Sequence, residues 1–262
     1  MNTAHSIPNA LSVCGRAKGR FRRAGLLTVS LGLLACGDKS MGSPDAAVTQ
    51  PPDAAVTQPQ PVVGTFKIAD ATGAGIQGAE VTYKSQKKTT DTNGTATIDL
   101  PPGAPYEVIA KATGFPPLHI YGIAGSAAFS LGRGLYTDTQ LTQLAGALGT
   151  SYDMTKAIIS VIVVGANLDY LPESIAIDTS VTYGFALVPD PSSPVGFAKS
   201  NATLPGKPSE VFLVNVTPGA VPLKVTPPAG KSCTVYPSAM PQGTEALVGY
   251  AHEISTVQLV CK

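Results

Sequence analysis

Residues 91–114 read DTNGTATIDLPPGAPYEVIAKATG, and the periodicity of this stretch decides the fold. Ile98 and Leu100 alternate with Thr97 and Asp99, and Tyr106, Val108 and Ala110 repeat the same spacing. A period of two puts one side of the chain inward and the other outward, which is the signature of a half-buried strand. Pro101-Pro102-Gly103 turns the chain between the two runs. Asn93-Gly94 is a strong short-range hairpin signal, because a type I′ turn needs positive φ at both central residues. It predicts that residues 87–91 turn back on residues 95–100. Upstream, residues 62–70 and 76–85 read as two further strands, with Gly73-Ala74-Gly75 as the turn between them.

The strings DATGAGIQGAEV (70–81), TDTNGTATIDLPPG (90–103) and YEVIAKATGF (106–115) together resemble the carboxypeptidase regulatory-like domain, over about Val62 to Leu131. The resemblance implies a small prealbumin-like β-sandwich. The residues that carry it, Gly78-Ala79, Asn93-Gly94, Gly103 and Gly114, are turn and core residues. They imply an architecture and no reaction.

Beyond residue 131 the period changes once. Thr137 with Gln140 fits a capping box, Leu141, Leu144, Ala145 and Leu148 share one helical face, and Gly149 suits the position after the cap. Residues 132–150 are therefore expected to form a connector with one short helix, which is too short to stand without docking on a sandwich. Residues 215–230, NVTPGAVPLKVTPPAG, then repeat residues 99–114 in faded form, with Pro218, Gly219, Ala220 and Gly230 matching Pro102, Gly103, Ala104 and Gly114. Residues 157–164 and 174–179 can fill the roles of the first two strands, and Pro189 to Pro194 suggests a longer loop. The expected fold class is all-β: two tandem small antiparallel β-sandwiches, residues 62–131 and 151–262, joined by the helix.

The N-terminal part is of another kind. Arg16, Lys18, Arg20, Arg22 and Arg23 precede an apolar run from Ala24 to Leu34. A helix of that length spans about 16 Å, half of a ~30 Å hydrocarbon core, so the run reads as a secretory signal and not as a membrane span. The sequence Leu33-Leu34-Ala35-Cys36-Gly37 resembles a bacterial lipoprotein signal. The resemblance implies cleavage of residues 1–35, acylation of Cys36, and attachment to the membrane through the lipid. Gly37, where an inner-membrane retention signal has Asp, favours the outer membrane, and Asp38 leaves the sorting open. Residues 36–61 are expected to be a disordered proline-rich linker, since PDAAVTQP at 44–51 recurs at 52–59. Extended at about 3.1 Å per residue, it would reach at most roughly 75 Å.

Composition agrees with this division. The 262 residues include 27 Gly and 23 Pro but only 13% charged residues, which suits strands joined by turns. The net charge of +1 offers nucleic acid no electrostatic footprint. Removal of five leader cations turns 18 basic against 17 acidic residues into 13 against 17, a mildly acidic chain.

Few residues invite chemistry. Cys14 leaves with the signal and Cys36 is the lipidation site, so Cys233 and Cys261 are the disulfide candidates. Closing that loop is worth roughly 3–4 kcal/mol in the chain-entropy model, and two thiols are too few for a metal site. His119 and His252 are distant in sequence, and neither an HExxH nor a GxSxG motif is present. His252-Glu253 could pair a base with an orienting acid, but as neighbours on a terminal strand they would face opposite ways. Asp91-Thr92-Asn93-Gly94 resembles the start of a calcium loop, yet its twelfth position is Pro102 and turn chemistry accounts for it. Gly132-Arg133-Gly134 reads as a flexible joint, and the sequons at Asn93, Asn201 and Asn215 are assigned no role. With no catalytic set and no cofactor motif, the expected function is non-enzymatic. It is a lipid-anchored envelope protein presenting its sandwiches to an envelope protein or a glycan. The alternative is carbohydrate binding on Tyr170, Tyr183, Tyr236 or Tyr250. An accessory role beside an envelope peptidase or hydrolase ranks third.

Overall fold

The computed structural model describes residues 60–165, 171, 173–206, 209–235 and 247–262. The signal, Cys36 and the repeat linker lie outside the described residues, as do Tyr170 and Tyr236.

The fold begins with β1 (Val62–Asp70), β2 (Glu80–Tyr83), β3 (Gln86–Thr89), β4 (Thr95–Leu100), β5 (Pro105–Lys111), β6 (Leu118–Ile123) and β7 (Phe129–Leu135). β4, β1 and β7 form a three-stranded sheet; β3, β2, β5 and β6 form the end of a larger one. The two sheets enclose Phe66, Ile68, Val81, Ile98, Leu100, Val108 and Ile120, all at most 1% exposed. Burying each such side chain contributes about 1.5–3 kcal/mol, which is what holds the sheets face to face.

The Asn93-Gly94 turn departs from the expected hairpin. β3 pairs with β2 through a two-residue turn in which Lys84 takes φ 50°, while β4 crosses to the other sheet and pairs with β1. Of the pair, Gly94 alone has positive φ (74°), so the turn is not type I′. The Asp91 carboxylate shapes it instead, accepting the Asn93 and Thr95 amides at 2.8 Å each. The Gly94 carbonyl then accepts the Ile68 amide at 2.7 Å. The turn is thus a sandwich corner seated on β1. The exposed flank of β4 is covered by Gln86, whose amide group donates to the Asp99 carbonyl (2.7 Å) and accepts from the Asp99 amide (3.1 Å).

β7 continues to Leu135, through the expected end of the first sandwich at Leu131. Gly132 and Gly134, read as a flexible joint, sit on the exposed side of a strand paired in parallel with β1 over seven residues. The helix α1 (Asp138–Ala147) follows, with Thr137 as N-cap and the reciprocal Thr137–Gln140 capping box in place. Gly149 takes φ 68° after the C-cap residue Leu148, as expected. Leu141, Leu144, Ala145 and Leu148 pack on the core.

The second half contains β8 (Ala157–Gly165), β9 (Ala176–Thr179), β10 (Phe185–Pro189), β11 (Phe197–Lys199), β12 (Glu210–Val216), β13 (Gly219–Val221), β14 (Leu223–Thr226), β15 (Cys233–Val235), β16 (Leu247–Gly249) and β17 (Ile254–Cys261). Its pairings repeat those of the first half. β8 has β12 antiparallel on one side and β17 parallel on the other, just as β1 has β4 and β7. β9 pairs with β14 as β2 pairs with β5. The chain is therefore all-β, with two tandem sandwiches and a short helix between them. The sheets are mixed and not purely antiparallel, because the last strand of each half returns beside its first.

The halves are also fused. β17 pairs in parallel with β6, matching Ile254 to Leu118, Ser255 to His119 and Thr256 to Ile120. This joins the strands into one sheet in the order β11-β10-β12-β8-β17-β6-β5-β2-β3. β8 is consequently covered on both faces: Ile158 belongs to the core shared with the first half and α1, and Ile159, Val161 and Val163 to the second core. Cys233 stands opposite Cys261 in the β15–β17 pairing, and the two are joined by a disulfide.

Candidate functional site

A cluster of hydrogen-bonded ionisable side chains lies where the halves meet. On β5, Tyr106, Val108 and Ala110 point into the first core, so Glu107 projects from the opposite face. On β6, Leu118 and Ile120 do the same, which sends His119 and Tyr121 to that same opposite face. Glu253 comes from the turn just before β17, 134 residues away in sequence.

His119 lies at the centre and is 6% exposed. Its Nδ1 is 2.6 Å from Glu107 Oε1, and its Nε2 is hydrogen-bonded to Glu253 Oε2. Tyr121 donates its hydroxyl to Glu107 at 2.9 Å. The ring of Tyr250 stacks on His119 with centroids 4.6 Å apart, and Tyr121 lies on it at 6.3 Å. The hydrogen bond with His119 holds the Glu107 carboxyl below its usual range, against the opposing effect of burial. Burial, reinforced by Glu107, pushes the Tyr121 hydroxyl well up, so it remains a donor.

His252 forms a second bridge. It takes φ 60°, its Nε2 lies 2.9 Å from Asp138 Oδ1 on α1, and its amide donates to the Lys156 carbonyl. Tyr152 also donates to Asp138, at 3.3 Å. His252 and Glu253 are thus not surface residues of a strand. They belong to the tight turn between β16 and β17, and the positive φ at His252 lets consecutive side chains reach α1 and β6. A third polar contact lies deeper: Ser160 donates to Glu210 at 2.5 Å, and burial pushes the Glu210 carboxyl up while nearby Arg133 opposes that shift.

Chemically, this arrangement joins each histidine to carboxylates on other elements. A general base needs a free nitrogen lone pair aimed at a nucleophile. Both nitrogens of His119 are taken by carboxylates, and among the described residues no hydroxyl or thiol is hydrogen-bonded to either histidine. Asp91 spends its carboxylate on turn amides, which accounts for the calcium-like string. Of the aromatic candidates, Tyr250 is 36% exposed but stacked on His119, and Tyr183 borders an open depression. Asn215, part of a sequon with no assigned role, takes φ 58°, donates to the Ser151 carbonyl (2.7 Å) and accepts from the Asp153 amide (2.9 Å). It pins the segment after the helix to β12. No local pattern announces that contact, apart from a polar residue ending an apolar strand.

No family model matches the chain, and no curated protein matches it. Among solved structures, the Bacillus anthracis TIE protein aligns over 76% of this chain with 14% identity and a TM-score of 0.23. The chain spans about a third of that protein's length, 34%. The shaft pilin spaA from Lactobacillus rhamnosus GG aligns over 78% of this chain and 98% of its own, with 11% identity and a TM-score of 0.22. GBS52, the minor pilin of Streptococcus agalactiae, aligns over 77% of this chain and 95% of its own, with 12% identity and a TM-score of 0.26. Likeness of this degree carries no argument about the role of the chain.

Proposed function

We propose that this chain is a non-enzymatic, lipid-anchored cell-envelope protein that presents a two-sandwich body for binding or assembly. The observation that supports it most is the junction itself: Glu253 and His252, in the turn before β17, bond His119 on β6 and Asp138 on α1, and Glu107 holds the other nitrogen of His119. Ionisable groups used in this way rigidify a body. The basic leader, Cys36 and the proline-rich repeat supply the anchor and the stalk of this reading. Carboxypeptidase regulatory-like domains fit it as architecture, and the outer membrane is the favoured attachment. Cys36→Ser is the direct test. The variant is expected to leave the membrane fraction for the soluble one, and inhibiting lipoprotein signal peptidase with globomycin is expected to accumulate precursor. A Cys36→Ser protein that stays membrane-bound would overturn the anchor.

A further inference from the structure

β10 and β11 are paired from Leu187↔Lys199 to Pro189↔Phe197, the Ser200 amide still donates to the Ala186 carbonyl, and the strands part where the chain leaves to bridge Ala202 to Ala176 on β9. The parting opens a depression of about 390 Å³, bordered by Tyr183, Gly184, Lys199, Ser200 and Asn201.

The groups around it differ in what they have left to offer. Tyr183 is half-buried and packs against the second core, which holds its ring in place. The Ser200 hydroxyl is already committed to both main-chain groups of Ala202. The Asn201 carbonyl accepts the Ile177 amide, and among the described residues its side-chain amide has no partner. The exposed Lys199 ammonium has no carboxylate within ion-pair distance among the described residues. An aromatic ring, and an amide and an ammonium that among the described residues have no competing side-chain partner, thus border one open depression.

We propose that this depression binds a carboxylated sugar unit of a polysaccharide. The ring of Tyr183 takes the C–H face of the pyranose, the Asn201 amide takes neighbouring hydroxyls, and Lys199 takes the carboxylate. An acidic peptide would use the ammonium but would leave the ring and amide without matched partners. The inference rests on the reading above, that the body is presented for binding, and names the class of its partner.

The test uses the full chain carrying Cys36→Ser, titrated by saturation-transfer NMR with an oligogalacturonate and with a neutral oligosaccharide of equal length. The oligogalacturonate is expected to bind more tightly. Tyr183→Ala is expected to weaken it about tenfold, the loss of one aromatic contact worth about 1.4 kcal/mol, while Tyr183→Phe keeps the ring and the affinity. Lys199→Gln, at an exposed position, should fold normally and abolish the preference for the acidic sugar. Absence of binding by either oligosaccharide, binding unchanged in Lys199→Gln, or equal binding of polyglutamate overturns the proposal. These outcomes are independent of membrane fractionation, so the anchor can stand while the sugar site falls, and the reverse.

Discussion

At the scale of single residues, the fold depends on places where two backbones come too close for a side chain. Gly94 is the clearest: an added Cβ would fall against the Ile68 carbonyl oxygen and within 2.8 Å of the Gly75 Cα. Its φ of 74° adds a conformational cost that an L side chain cannot relieve. Gly94→Ala is therefore expected to lose about 3 kcal/mol or more, both from strain and from the displaced Ile68–Gly94 hydrogen bond. Urea denaturation checks this, with Asn93→Ala as the control. Asn93 is exposed, and only its amide is used in the turn, so that variant should change stability little. The sequence motif was read correctly as a turn, while its geometry came from Asp91 and from a strand 25 residues earlier. Local propensity cannot reveal a partner that arrives by tertiary packing.

At the scale of elements, what could be read in advance were features that complete themselves within a few residues. The Thr137–Gln140 box and the Gly149 terminator are such features, and α1 has both. Thr137→Ala removes the acceptor for the Gln140 amide and is expected to cost about 1 kcal/mol, with Thr137→Ser restoring it. Amide exchange in the first turn of α1 should quicken in the alanine variant alone. The strands of the second half were placed from four identities at turn positions, since Gly103 and Gly219, and Gly114 and Gly230, all take positive φ. The β6–β17 pairing could not be read that way. It joins residues more than 130 apart, and the apolar run of β8, AIISVIVVG, was the available hint, because a strand buried on both faces does not alternate. The polar site was least legible of all. His119 draws its partners from positions 12 and 134 residues distant, and neither spacing belongs to a motif.

At the scale of the whole molecule, the carboxylate–His119 cluster, a clasp at the junction, predicts how the body responds to acid. Glu107 is held below its usual carboxyl range by its hydrogen bond with His119. A group depressed in the folded state stabilises it above the unfolded pKa, and that contribution is lost as pH falls through the lower folded value. Its ordinary value is 4.5, so the contribution should be whole at pH 6 and fade below about pH 4.5. Other carboxylates titrate in the same window and not all in the same sense: Asp70 and Asp153 are also depressed, whereas burial raises Glu210. The pH profile of the native protein alone is therefore a sum of opposing effects. The difference between it and Glu107→Gln isolates the clasp, because the amide keeps an acceptor for Tyr121 and His119 but cannot carry the charge. At pH 6 the variant should be less stable by about 1 kcal/mol, the usual worth of such a bond, with the gap closing as the pH falls below that ordinary carboxyl value. Thermal unfolding of both proteins across that range measures it. A gap that stayed constant with pH would mean that Glu107 packs beside His119 without its charge mattering, leaving the His119–Glu253 and His252–Asp138 bonds, the β6–β17 pairing and the shared core to hold the halves.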